Sequence, residues 1–220
     1  MTAMTAKSYQ KLLGASLGFL LAFAGWTAAV CCMDVQPIGP NHSRVGFATM
    51  NAFVHRVIGV HLALYTLTDW LSLAAIALML GFAGLGLWQW FCRKSFWKVD
   101  KSLVFLGGFY LAVLGFYLFF EAAKINFRPV LIEGVLEASY PSSTTLLILC
   151  TVPTAILQLH GRIRAKLPRR TVCAGLGAFA VFMVAGRLVS GVHWCSDIIG
   201  GILLSAGLVL LYAALCRRFS

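Results

Sequence analysis

The chain has 220 residues, 60% hydrophobic and 11% charged, with a mean hydropathy of +0.86 and a formal net charge of +11. Soluble domains run about 45–50% apolar and about 25% charged. The composition therefore excludes a soluble globular protein, a disordered chain and a cysteine-dense secreted scaffold. What remains is an integral membrane protein, read as one domain over residues 1–220.

A membrane-spanning helix needs roughly 20 apolar residues. Six runs nearly free of charge satisfy this: residues 12–31, 70–91, 102–120, 142–159, 171–186 and 198–216. The fifth is short unless it continues past Arg187. The first follows Lys7 and Lys11, as a signal peptide would. It is long for such a segment, however, and Ala28, Ala29, Val30 and Cys31 make a poor cleavage site, so it reads as a retained anchor. The expected fold is all-α: a six-span transmembrane bundle.

Orientation follows from the basic residues. With the N-terminus inside, 13 of the 18 Lys and Arg fall on the cytoplasmic side: Lys7, Lys11, Arg93, Lys94, Lys98, Lys101, Arg162, Arg164, Lys166, Arg169, Arg170, Arg217 and Arg218. The outer side keeps Arg44, Arg56, Lys124, Arg128 and Arg187. Positive charge in short loops marks the cytoplasmic face. Both termini are thus expected inside, in the plasma (inner) membrane. The +11 charge is mostly this bias, with some attraction for anionic headgroups. No basic stripe alternates with exposed aromatics, so nucleic acid is not an expected partner. Seven cysteines, an odd number, lie in or beside apolar runs and read as small buried hydrophobes.

Residues 33–69 form a long outer loop. It opens on turn formers, Gln36-Pro37-Ile38-Gly39-Pro40-Asn41, and passes into a mixed stretch, 47–65, expected to be an interfacial helix or a cap. His55 and His61 are six apart and off one helical face, so a metal pair is not expected.

The other ionisable residues of the outer side sit at span ends, where charge is costly and signals function. Between spans three and four come Glu121, Lys124, Arg128-Pro129 and Tyr140-Pro141-Ser142-Ser143-Thr144-Thr145; between spans five and six come Arg187, His193 and Asp197. Arginine forks match phosphate oxygens and Lys adds a point charge. Pro followed by hydroxyl residues at a helix start offers free N–H groups to an anion. His193 and Asp197, four apart, share a helical face, so the carboxylate can hold Nδ1–H and leave Nε2 as nucleophile or base. One at a time these are interfacial anchors and caps; together they read as a phosphate cradle with a His–Asp pair.

Arg187, five residues, His193, three residues and Asp197 resemble the third signature of the type 2 phosphatidic acid phosphatase superfamily, which also contains the vanadium haloperoxidases. Arg128-Pro129 resembles the end of its first signature, and Pro141-Ser142-Ser143-Thr144 its second, usually Pro-Ser-Gly-His. The resemblance covers roughly residues 12 to 216. It implies that His193 attacks phosphorus and forms a phosphohistidine, that Asp197 orients it, and that Arg128, Arg187, Ser142, Ser143 and Thr144 line the phosphate site. It implies no metal and no cofactor, and a membrane lipid as substrate.

Two positions depart from the pattern. The signature Lys seven residues before Arg128 is Glu121 here, and Lys124 is the candidate replacement. The signature's general-acid His aligns with Thr144, a poor proton donor. Losing a general acid costs roughly 10²–10⁴ in rate, about 3–5 kcal/mol of barrier. A lipid monophosphate must expel an alkoxide, whose conjugate acid is about as weak as water (pKa near ~16). A lipid diphosphate expels a phosphate of pKa about 6 and hardly needs the proton. The expected function is therefore hydrolysis of a lipid phosphate or diphosphate at the outer face, with an undecaprenyl-diphosphate-like carrier favoured. The alternatives are a non-hydrolytic relative that binds or transports a phospholipid or polyprenyl phosphate, and a lipid-dependent phosphotransferase.

Overall fold

The computed structural model describes residues 3–219, with side chains from residue 8; of the basic residues counted above, Lys7 alone has its side chain outside that set. Seven helices follow in order: α1 (Ala3–Cys32), α2 (Ala48–Ile58), α3 (Leu62–Arg93), α4 (Lys101–Ala123), α5 (Ser143–Arg162), α6 (Lys166–Val189) and α7 (Cys195–Phe219). All but α2 are long and apolar enough to cross a membrane. In lipid every backbone N–H and C=O must be satisfied within the segment, which continuous apolar runs achieve by coiling into helices. The fold is thus an all-α bundle of six candidate spans.

The centre of the bundle is α5 with α7. Half or more of their most apolar windows is buried, against 6% for α3, whose outward face carries Trp70, Leu73, Leu80 and Leu87. One core gathers Phe23 of α1, Leu106, Phe109 and Phe120 of α4, Leu146 of α5, and Leu204 and Tyr212 of α7. A second joins Ala75, Ile148, Val152 and Met183, where α3, α5 and α6 meet. Ser16 of α1 donates to the Gly207 carbonyl at 2.8 Å, holding the first and last helices together.

At the end of the bundle holding the α3–α4 turn, Asp100 lies 2.9 Å from Arg93 and 3.4 Å from Arg162 and accepts from Gln89. Gln158 bonds Tyr212 and the Ser102 carbonyl nearby. These contacts tie α3, α4, α5 and α7 at one end and leave the opposite end to the ionisable residues of the α4–α5 and α6–α7 connections.

The helix ends run beyond the expected spans. α3 begins at Leu62, eight residues before the expected 70, so Tyr65 and Asp69 belong to its first turns. The mixed stretch 47–65 is not one element: it breaks at Gly59 (φ 74), leaving α2 and the start of α3. α6 continues past Arg187 to Val189. At Asp69 and Arg187 a charged residue suggested an end, yet each lies inside its helix, and the two face each other at 3.5 Å. The cysteines are also not uniformly buried: Cys150 is, while Cys31, Cys32 and Cys92 are exposed.

The 33–47 segment folds back through a Gln36–Val45 bridge. Asp34 caps α2, accepting from the Thr49 N–H at 2.6 Å. Gly46 meets the end of α1 so closely that a Cβ would lie 1.7 Å from the Val30 carbonyl oxygen. Gly46→Ala should therefore force the backbones apart and lower stability by about 1–3 kcal/mol, as overpacking does. Gly107→Ala, where nothing lies within 4 Å, should leave it unchanged. Thermal unfolding of the two variants in detergent checks the contrast.

Candidate phosphate site

Four segments converge at one end of the bundle. The first is the α4–α5 connection. After the left-handed Lys124 it runs out and back as a narrow hairpin, with an Arg128 N–H to Glu137 carbonyl bond of 3.0 Å and a Ser139 N–H to Asn126 carbonyl bond of 2.9 Å. Its tip turns through Glu133 (φ 51) and Gly134 (φ 80). This register sets Arg128 beside Glu137, and the side chains form an ion pair, Nε to Oε2 2.9 Å.

The second and third segments are the end of α6 and the α6–α7 connection, which supply Arg187 and His193. Both side chains are buried, Arg187 to 1% exposure. Their geometry is the central observation. Arg128 Nη1 and Arg187 Nη2 each lie 3.4 Å from His193 Nε2. Guanidinium nitrogens only donate, so a ring nitrogen facing two of them offers its lone pair, and the ring proton belongs on Nδ1. Burial, then the positive charges of Arg128 and Arg187, hold the His193 pKa well below the usual imidazole range; the Ser139 main chain opposes this as the smallest cause. The ring is neutral near pH 7 with its lone pair aimed between two cations.

The fourth segment is the first turn of α7, with Asp197 fully buried. Its Oδ2 lies 3.9 Å from His193 Nδ1, beyond hydrogen-bond reach. The carboxylate accepts instead from the Trp194 N–H (3.1 Å), Asn126 Nδ2 (3.0 Å) and the Ser196 hydroxyl (3.4 Å). It thus caps the start of α7 and fixes the turn that carries His193. Asn51 of α2 supports the same turn, accepting from the Ser196 N–H at 3.2 Å and donating to its hydroxyl at 2.9 Å. The Trp194 indole donates to the Phe127 carbonyl at 2.7 Å, joining the turn to the hairpin.

Arg128, His193 and Ser143 line one polar cavity of about 190 Å³, with Glu121, Glu137 and Ser139. Three of the expected residues are placed differently. The Ser142 hydroxyl is engaged as the α5 cap, accepting from the Thr145 N–H and hydroxyl. Thr144 faces an apolar groove of about 450 Å³ between α3 and α4, together with Asp69, Ser72 and Val113. Lys124 is exposed at the end of α4 and does not line the cavity, whereas Glu121, one turn earlier, does.

Asp69 and Tyr65 of α3 complete the surroundings of the arginines. Asp69 Oδ1 lies 3.5 Å from Arg187 Nη1, and the Tyr65 ring sits 4.7 Å from the Arg187 guanidinium carbon and 5.7 Å from that of Arg128. Sequence reasoning passed over both, and over Glu137 and Asn126. One signal was available: the chain has only seven acidic residues, and Asp69, Glu121, Glu137 and Asp197 all gather here.

Comparisons with known proteins bear on the fold and the family. A search of the curated proteins finds no match. Among solved structures, the fold is similar to the crystal structure of the first transmembrane PAP2 type phosphatidylglycerolphosphate phosphatase from Bacillus subtilis, with a TM-score of 0.59 and 19% identity over 93% of this chain and 95% of that one. The sequence model of the PAP2 superfamily matches residues 78–219, well over half of the chain and inclusive of Arg128, Arg187, His193 and Asp197, and the chain belongs to that superfamily.

Proposed function

We propose that this protein is a membrane phosphatase that hydrolyses a lipid phosphate or diphosphate through a phosphohistidine. The observation that carries the reading is the convergence of Arg128 and Arg187 on His193 Nε2, each at 3.4 Å. Two guanidinium groups flanking a neutral, buried nucleophile form a cradle for three phosphoryl oxygens. They also stabilise the charge that gathers there as bonds form and break. His193 Nε2 attacks phosphorus, the P–O bond to the lipid breaks, and the leaving oxygen carries away the electron pair. Water then attacks phosphorus, the N–P bond breaks with its electron pair returning to His193 Nε2, and phosphate leaves carrying the water's protons. Asp197 acts through the Trp194 turn, holding the ring in place and favouring the imidazolium that forms in transit.

A lipid substrate is supported by the groove. It shares Tyr117, Ser143 and Leu146 with the polar cavity. At Tyr110 it meets a second apolar pocket of about 440 Å³ lined by Phe82, Gly86, Trp90 and Leu103. The crevice between α3 and α4 thus follows α3 from Asp69 to Trp90, roughly 30 Å at about 1.5 Å per residue. One leaflet's hydrocarbon is half of about 30 Å. A crevice twice that depth suits a long polyprenyl chain better than an ordinary acyl chain.

Proton economy points the same way. Position 144 faces the tail groove and carries a hydroxyl, a weak acid, so the favoured leaving group needs no proton. An undecaprenyl-diphosphate-like lipid meets both conditions. Phosphatidylglycerolphosphate, the substrate named for the structural neighbour, would expel an alkoxide.

Purified protein in detergent should release phosphate from a polyprenyl diphosphate at least tenfold faster than from the matching monophosphate or from phosphatidylglycerolphosphate, since a general acid contributes about 10²–10⁴ to the alkoxide case. His193→Ala should abolish release. Full activity in a folded His193→Ala protein refutes the phosphohistidine, and equal rates on all three lipids refute the leaving-group argument.

The low His193 pKa has its own check. In ¹⁵N-histidine spectra of the detergent-solubilised protein, His193 should stay neutral down to well below pH 6.5. Arg128→Leu removes a neighbouring cation and so should raise that midpoint; an unchanged midpoint shows that Arg128 does not act on the ring.

The site is placed at the outer face of the plasma membrane on the 13-to-5 distribution of basic residues. In a variant with Cys31, Cys32 and Cys92 replaced by serine, an impermeant thiol reagent applied to intact cells should label a cysteine introduced at Glu133 and not one introduced at Lys166. The reverse pattern inverts the topology.

A further inference from the structure

We infer that Tyr65 and Asp69, on α3 and outside the stretch matching the superfamily, are positioning residues that hold the two arginines in their phosphate-binding geometry. The inference rests on the reading that Arg128 and Arg187 bind the phosphoryl group.

Two guanidinium groups directed at one ring nitrogen repel each other, and burial leaves little water to screen them. Something must hold them convergent. Tyr65 and Asp69 are four residues apart, so they share one face of α3. From that face Asp69 takes Arg187 Nη1 at 3.5 Å, which leaves Nη2 for His193. The Tyr65 ring offers its negative π-cloud to both cations, at 4.7 and 5.7 Å. On the far side Glu137 takes Arg128 Nε, which leaves Nη1 for His193. Each arginine thus has a carboxylate near one nitrogen and presents another to the ring, and Tyr65, like His193, lies against both.

The face is held in register with the catalytic turn. The His61 N–H donates to the Ser190 carbonyl at 2.9 Å, and His55 Nε2 lies 3.1 Å from the Gly191 carbonyl oxygen. Gly191, at φ 68, lets Gly59 approach so closely that a Cβ would fall 1.9 Å from the Gly59 carbonyl oxygen. The start of α3 and the turn before His193 therefore form one unit. Packing alone would not need an aromatic ring or a carboxylate at these two positions.

The test uses the full chain in detergent, with inorganic phosphate affinity from calorimetry and kcat and KM on a polyprenyl diphosphate. Tyr65→Leu should weaken phosphate binding about tenfold, the middle of the range for a buried cation–π contact. Tyr65→Phe, which keeps the ring, should recover it to within about threefold. Asp69→Asn should lower kcat about tenfold while phosphate binds as tightly as before or tighter, because a negative charge is lost but Arg187 is no longer aimed. Loss of fold alone would not produce that split or the rescue by Phe. Wild-type affinity in Tyr65→Leu, or a Phe variant as damaged as Leu, overturns the inference. So does parallel loss of kcat and affinity in a folded Asp69→Asn protein. If no lipid is hydrolysed but phosphate binding follows this pattern, the hydrolytic reading fails and the positioning role stands.

Discussion

The constraint on which this site depends is the holding of two like charges together where water is scarce. Arg128 and Arg187 both point at one imidazole nitrogen, an arrangement that by itself is electrostatically unfavourable. At an effective dielectric near 20, two unit charges 4 Å apart repel by about 4 kcal/mol. The surrounding structure is organised to offset it. The hairpin of the α4–α5 connection exists in a register that brings Glu137 to Arg128. The early start of α3 brings Asp69 and Tyr65 to Arg187. Convergent donors held by neighbouring groups would meet an anion without rearrangement, and such preorganisation is where electrostatic catalysis gains most.

The same logic explains the buried carboxylate. Asp197 is too far from His193 Nδ1 for a hydrogen bond in this state and is surrounded by donors from Asn126, Ser196 and the Trp194 main chain. Those donors engage both of its oxygens at the start of α7, where the helix dipole also favours negative charge. On the proposed mechanism, its attraction for the ring would grow as the ring becomes cationic, so it would contribute more to the reacting state than to the resting one. Asn51 and Asn126, from two distant segments, lock the turn.

The bundle was largely legible in the sequence because the bilayer leaves few options. Long apolar runs must be helices, so six spans could be counted. Their ends were less legible. Charge at a span end suggests a loop, yet Asp69 and Arg187 cancel each other inside helices that continue through them, a pairing across more than a hundred residues that no local pattern reveals. The site was legible where its residues lie close in the chain, as with Arg187, His193 and Asp197. It was not where folding sets direction: spacing alone made Lys124 a candidate, but the left-handed turn ending α4 leaves it in the open while Glu121 faces the cavity.

On the proposed function, Glu121 and Thr144 together would change what the cavity selects. In the signature both positions serve the phosphate end, one as a cation and one as an acid. Here the first is a carboxylate in the polar cavity and the second a hydroxyl in the tail groove. On the proposed function, the phosphoryl group would be held by Arg128 in the cavity and by Arg187 behind His193, rather than by an added lysine. With no strong acid on the tail side, the chemistry is carried by attraction for the developing charge and by the quality of the leaving group. On this reading, the substitutions that most weaken the resemblance in the second signature are the ones that narrow the substrate: they discard the alkoxide leaving groups and keep the anhydrides.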